Sequence, residues 1–255
     1  MCKIKNVKEE IVISSLDFEK TMSINGNEID FKEKGLITNE LVPLEVKTEE
    51  FDLLMGIYKK ASEQVLEMLN GVKIEYNKIF NHNIINHTVS RIKEPQSILN
   101  KMKKKNLEPN YRNLVDNIND IAGVRVICPV KDDVYTVVSI LEKVPNWNLI
   151  IEKDYIKNPK KSGYSGYHVI VEVPVKISNE NNYLRNQIFV KVEIQIRTMA
   201  MDFWATNEHK MKYKTNKKLS ILDSARLKFY AKVLDAMDYR FNKINQRTKV
   251  LNSNL

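Results

Sequence analysis

Two cysteines, Cys2 and Cys128, are all that the 255-residue chain carries, which argues against a disulfide scaffold and fits a cytosolic protein. The four histidines, His82, His87, His168 and His209, are dispersed, and none forms a metal-ligand pair with either cysteine. No apolar run approaches a membrane span and the N-terminus has no signal-peptide pattern, so a cytoplasmic protein without a membrane partner is expected. No internal repeat is visible. Gly-x-Gly-x-x-Gly and Gly-Lys-Ser/Thr are both missing, which excludes a Rossmann or P-loop nucleotide site. What is there is a hydrophobic fraction of 43%, enough for one substantial domain with appendages, or two small domains at most. The net charge of +9 suits polyanionic partners, nucleotides or nucleic acid, without choosing between them.

The most informative segment is Ile188-Phe-Val-Lys-Val-Glu-Ile-Gln-Ile-Arg197. Its unbroken alternation predicts a strand, with Ile188, Val190, Val192, Ile194 and Ile196 facing a core. Phe189, Lys191, Glu193, Gln195 and Arg197 face the other way, which sets a carboxylate between a lysine and an arginine. A solvated outer face would be the plain explanation. Against it stands the upstream segment Lys160-Lys-Ser-Gly-Tyr-Ser-Gly-Tyr-His168, a basic glycine-containing turn with two aromatics, suited to phosphate and a flat ring.

Along the chain, residues 1–47 form an extension of unknown role, with an Asn25-Gly26-Asn27 turn in it. Apolar residues from Phe51 to Ile79 recur at helical spacing over about 49–80, started by Thr48. Pro95 can open a second helix, with Ser97 and Lys101 one turn apart on it and Arg91 and Lys93 before it, a fair phosphate site or a solvated basic stretch. Residues 120–128 read as a buried strand that starts at Asp120 and carries one charge, Arg125, which needs a partner or a ligand. Asp132 is expected to cap a short helix; strands follow near 148–154 and 167–173. A helix over about 199–213 has Phe203, Trp204 and Met211 as core candidates. A last helix over about 220–246 carries the stripe Leu222, Ala225, Phe229, Val233, Met237 and Ile244, either core or a self-association surface. The class is α+β, a mixed α/β arrangement with four or five strands in a mixed sheet and flanking helices.

Four ordered motifs together resemble the synthetase domain of RelA/SpoT-like proteins, and most closely the single-domain small alarmone synthetases, or GTP pyrophosphokinases. They are Arg91-Ile-Lys93 through Ser97 and Lys101; Asp120-Ile-Ala-Gly-Val-Arg125; Lys153-Asp-Tyr-Ile through Gly163-Tyr164-Ser-Gly-Tyr-His168; and Glu193-Ile-Gln-Ile-Arg-Thr198 through Phe203-Trp-Ala-Thr and Glu208-His209. The resemblance implies a nucleotidyltransferase-like fold with a synthetase domain at 48–214 and a C-terminal helix at 215–255 that serves oligomerisation. It implies transfer of the β,γ-pyrophosphate of ATP to the ribose 3′-hydroxyl of GDP or GTP, with release of AMP, in the stringent response.

The same resemblance assigns roles. Glu193 is the base and Asp120 the Mg²⁺ ligand, with Glu193 beside it at the metal. Lys93, Ser97 and Lys101 cradle the ATP phosphates, with Lys153 as a further clamp. Arg91 and Arg125 sandwich adenine. Tyr164 stacks on guanine, and His168, Lys161, Gln195 and Asp202 line the acceptor site. Three positions depart from the family pattern: Lys153 for Arg, Ser165 for Arg, and Asp202 for Asn, which leaves acceptor preference open. With no His-Asp dipeptide, alarmone hydrolysis is not expected. A homotetramer is the expected assembly. Two other classes compete: a basic RNA-binding module, built on Lys101 to Lys105, and an inactive nucleotide-binding regulator. A carboxylate amid basic residues speaks against the first, and joint retention of Asp120 and Glu193 against the second.

Overall fold

A computed structural model describes residues 43–46, 48–179, 182–214 and 219–252. Most of the extension 1–47, including its Asn-Gly-Asn turn, lies outside the described residues. Leu44 nevertheless enters the core, and its backbone N–H donates to the Pro109 carbonyl.

The first helix, α1 (Glu49–Phe80), starts as its sequence dictates. Thr48 is in extended conformation and its hydroxyl accepts from the Phe51 N–H, while Glu49, Glu50 and Asp52 fill the positive first turn. It ends at Asn81, whose left-handed backbone (φ 47°) terminates the helix. Next come β1 (His87–Ile92), α2 (Pro95–Lys104) and α3 (Tyr111–Asn117). Pro95 opens α2, as expected. After these come β2 (Ala122–Cys128), α4 (Lys131–Leu141), β3 (Asn148–Asp154), β4 (Tyr167–Asn179) and β5 (Asn182–Thr198). Two helices follow, α5 (Met199–Lys214) and α6 (Ile221–Asn252).

The five strands form one sheet in the order β1-β2-β5-β4-β3. Only β2 and β5 run parallel; the other three pairings are antiparallel. Registration decides everything that follows. Val124 lies beside Ile194 and Val126 beside Ile196, while Val169 pairs with Ile194 from the other side. This apolar row joins residues of α1, α2 and α4 in a single core. The opposite parity brings Arg91, Gly123 and Glu193 into one cross-strand row and Arg125, Gln195, His168 and Lys153 into the next. One face is therefore packed, and the other gathers the polar side chains singled out in the sequence.

A satellite cluster forms where α5 meets α6. Trp204, Ala205 and Leu227 are buried, with Tyr164, Ala231 and Leu234 packed against them, and the Trp204 indole N–H donates to the Leu227 carbonyl at 2.9 Å. A polar seam ties α6 to the body of the domain. Lys131 pairs with Asp235 at 2.6 Å, and the Thr198 hydroxyl donates to Asp238 at 2.6 Å.

Several sequence expectations are corrected here. Asp132 does not cap α4: Val130 precedes the helix, and the Asp132 carboxylate instead accepts from the Asn242 and Gln246 amides of α6. Phe203 and Met211 are exposed, and of the three core candidates on α5 only Trp204 is inside. The apolar stripe of α6 is not core either. Leu222, Phe229, Val233, Met237 and Ile244 are all exposed, while Leu227, Asp238 and Asn242 form the inward side. Lys191 does not flank the carboxylate; its amine donates to the Val115 and Asp116 carbonyls at the C-terminal end of α3, where a cation is favoured.

Candidate active site

Asp120 lies just before β2, and two lysines reach it from different elements. Lys93 Nζ, from the link between β1 and α2, is 2.8 Å from Oδ2, and Lys101 Nζ, from α2, is 2.7 Å from Oδ1. Burial works to raise the Asp120 carboxyl, but the hydrogen bonds and charges of Lys101 and Lys93 outweigh it and hold it below its ordinary value. Gly123 lies directly across from Arg91, and a Cβ there would be in ordinary contact with the Arg91 side chain, at 3.8 Å. Ser97 is exposed in the first turn of α2.

Further along the face, Glu193 sits in a closed ring of hydrogen bonds. His168 Nδ1 is 3.1 Å from Oε1, and Gln195 Nε2 donates to Oε2 at 2.8 Å. Gln195 Oε1 in turn accepts from Arg197 at 2.7 Å, which fixes the orientation of its amide. Arg197 donates through Nε and Nη2 to the Tyr164 hydroxyl, at 3.2 and 2.9 Å. That hydroxyl bonds His168 Nε2 and completes the circuit. Burial disfavours the Glu193 charge, yet the His168 hydrogen bond and charge, with the Gln195 hydrogen bond, bring its pKa below the ordinary value. Burial raises the Tyr164 phenol, against the opposing pull of Arg197.

Tyr164 hangs over this ring on the turn that the sequence marked out. Gly163 and Gly166 both have positive φ, 98° and 155°, and Gly163 has a second reason to be glycine: a Cβ there would stand 2.8 Å from the Ala231 methyl of α6. Lys160 lies over the rings of Tyr155 and Tyr164, and the Arg197 guanidinium is 5.1 Å from the Tyr164 centroid. Tyr155 packs edge-on against both Tyr164 and His168. Ser165 Oγ is buried and has no hydrogen-bond partner. Lys153, across from His168, and Lys161, in the turn, are both exposed.

Asp202, in the first turn of α5, accepts from Arg197 at 3.0 Å and pairs with Arg125 at 3.3 Å through the same oxygen. Burial, Arg197 and Arg91 all lower the Arg125 pKa against the pull of Asp202. Its Nε is buried without a hydrogen bond.

The sheet face thus assembles Arg91, Lys93, Lys101, Asp120, Arg125, His168, Glu193 and Gln195 with Tyr164 and Asp202 at its edge. Sequence reasoning missed Arg197, Lys160 and Tyr155 as members. Arg197 was legible in the alternation of β5, but its burial, the property that makes it a hub, depends on α5. No group of three or more His, Cys, Asp or Glu side chains among the described residues is placed to hold a metal by itself. The chemistry of the donor set fits a magnesium ion completed by phosphate oxygens and water: Asp120 and Glu193 are two carboxylates on one face, and the Asp120 charge opposes that of Glu193.

Comparison with known proteins places the chain in a family. A family model described as a region found in RelA / SpoT proteins matches residues 90–218. GTP pyrophosphokinase YwaC of Bacillus subtilis (strain 168) is 44% identical over 160 residues, which cover 63% of this chain and 73% of that protein. GTP pyrophosphokinase YjbM of the same strain is 32% identical over 188 residues, 73% of this chain and 84% of that protein. The crystal structure of small alarmone synthetase 1 from Bacillus subtilis bound to its product pppGpp superimposes with a TM-score of 0.70 at 29% identity, over 78% of this chain and 98% of that one.

Proposed function

Because the chain belongs to the RelA/SpoT family, we propose that it is a GTP pyrophosphokinase that makes (p)ppGpp from ATP and GDP or GTP. The observation that carries this reading is Glu193, an ionised carboxylate locked between His168 and Gln195 on the same face as the lysine-paired Asp120. A ribose 3′-hydroxyl is a weak nucleophile, and in this reading Glu193 takes its proton as the oxygen attacks the β-phosphorus of ATP. The bond from that phosphorus to the α,β-bridging oxygen breaks, and AMP leaves. Negative charge spreads over the transferring oxygens, and Lys93 and Lys101 supply an opposing field when they exchange Asp120 for phosphate. A magnesium ion held by Asp120 and Glu193 would neutralise the same charge. Arg91 and Arg125, on neighbouring strands with planar guanidinium groups, serve as the adenine clamp, and Tyr164 with Lys160 and Tyr155 forms the guanine platform.

The working assembly we propose is a homotetramer in the cytoplasm, joined through α6. Its exposed Leu222, Phe229, Val233, Met237 and Ile244 are the support for that, since a row of large apolar side chains left in water invites a second copy. Product analysis tests the chemistry. Purified protein with ATP, Mg²⁺ and GDP or GTP is expected to yield AMP and a guanosine nucleotide pyrophosphorylated at the 3′ position. Persistent absence of both products from folded protein would overturn the reading. Light scattering tests assembly, and a full-length monomer at micromolar concentration would end the α6 proposal.

A further inference from the structure

The two nucleotide sites proposed above touch at one side chain. Asp202 uses a single oxygen, Oδ1, to hold Arg125 and Arg197 together, at 3.3 and 3.0 Å. Arg125 belongs to the donor side. It stands on β2, next to β1 with its Arg91, and its Nε has no hydrogen-bond partner. Arg197 belongs to the acceptor side, where it makes three contacts: two to the Tyr164 hydroxyl and one to Gln195, which steadies Glu193. It is buried, while Arg125 is only partly so.

Resting on that reading of the sites, we propose that Asp202 is a positioning residue that couples donor binding to acceptor binding. In the free protein one carboxylate is divided between two guanidinium groups that repel each other. A planar donor base that draws Arg125 onto its face takes it out of this competition. Asp202 then serves Arg197 alone, and Arg197 is held more firmly under Tyr164 and against Gln195. The acceptor platform is thereby ordered before the acceptor arrives, and part of the cost of ordering it has already been met. The coupling is reciprocal: acceptor binding that fixes Arg197 tightens the donor site by the same factor.

The measurement is the affinity for GDP, by calorimetry with Mg²⁺, with and without a saturating non-reactive α,β-methylene analogue of ATP. In the unaltered protein the analogue is expected to tighten GDP binding about fivefold or more, the lower end of ordinary coupling. In Asp202→Asn, which keeps the shape and an acceptor oxygen but not the charge, the ratio should fall below about twofold, with each nucleotide still bound. Asp202→Ser gives the same comparison should the Asn variant fail to fold. A ratio unchanged in a folded variant, or no coupling in the unaltered protein, overturns the proposal. If the unaltered protein binds both nucleotides and shows coupling yet makes no product, the pyrophosphokinase reading fails and the coupling stands.

Discussion

The two ends of the polar face solve the problem of buried charge in different ways. At the end proposed for the donor a carboxylate, Asp120, is met by two ammonium groups on flexible stems, one before α2 and one within it. At the end proposed for the acceptor Glu193 is enclosed by planar groups, each fixed by a further hydrogen bond, until the chain of contacts closes on itself through Tyr164 and Arg197. Lysine is a point charge that can change partners at little cost, while a guanidinium fork, an amide and an imidazole are tied to one geometry. The difference teaches that, if the sites are as proposed, the donor end is built to exchange partners when phosphate arrives, while the acceptor end keeps one set of partners and is only tightened.

Substitutions can break this contrast or sharpen it. The largest effect is expected at the proposed base. Glu193→Gln keeps the shape and should lower turnover at least about a hundredfold, the scale of a lost general base. Steady-state formation of the pyrophosphorylated product measures it, and wild-type turnover in a folded variant would take Glu193 out of the mechanism. On the acceptor side, Tyr164→Ala should weaken GDP binding by about 1–3 kcal/mol, the scale of base–aromatic stacking. Calorimetry should find ATP affected far less; equal losses for both would show that the ring only braces the fold. On the donor side, Lys101→Gln should raise the KM for ATP by about tenfold, as loss of one hydrogen bond to a charged group does, and leave the KM for GDP nearly unchanged. An equal rise for both would erase the distinction between the ends.

The smallest effect concerns pH and stability. Asp120 and Glu193 have lowered pKa values in the folded protein. Their contribution is present above the ordinary carboxylate range, near pH 4, and is lost as the pH falls through the lower folded values. Asp238 runs the other way: burial raises it, against Thr198 and Lys131, so its charge costs stability at neutral pH. Asp238→Asn is therefore expected to raise the Tm modestly at pH 7, and the gain should shrink toward nothing as the pH approaches about 4. A gain that grows on acidification would contradict the direction of that shift.

The strand 188–197, the helix opened by Thr48 and the start of α2 at Pro95 were all legible in the chain, because alternation, capping and proline chemistry act over a few residues. The acceptor turn was legible through its glycines for the same reason. What could not be read were contacts between distant segments. Lys191 looked like a flank of the carboxylate until α3 supplied it with carbonyls. Asp132 looked like a cap until α6 brought Asn242 and Gln246 to it. The face that α6 turns inward is half polar, Leu227 with Asp238 and Asn242, so hydrophobic spacing picked out the outer stripe instead. The contact of Gly163 with Ala231 had no signal in either segment, and it changes the expected result of removing α6: the acceptor turn loses its support along with any assembly surface.

The parallel pairing of β2 with β5 has a consequence in time. Gly123 and Glu193 are neighbours in the sheet, but α4, β3 and β4 lie between β2 and β5 in the chain. Non-local parallel pairings form slowly, since the intervening loop must be closed before the contacts reward it. Helical signal should therefore return early when the denatured chain is diluted into buffer, carried by the local contacts of α1 and α6. Competence for catalysis should return in a later phase, when the strand bearing Glu193 finally docks.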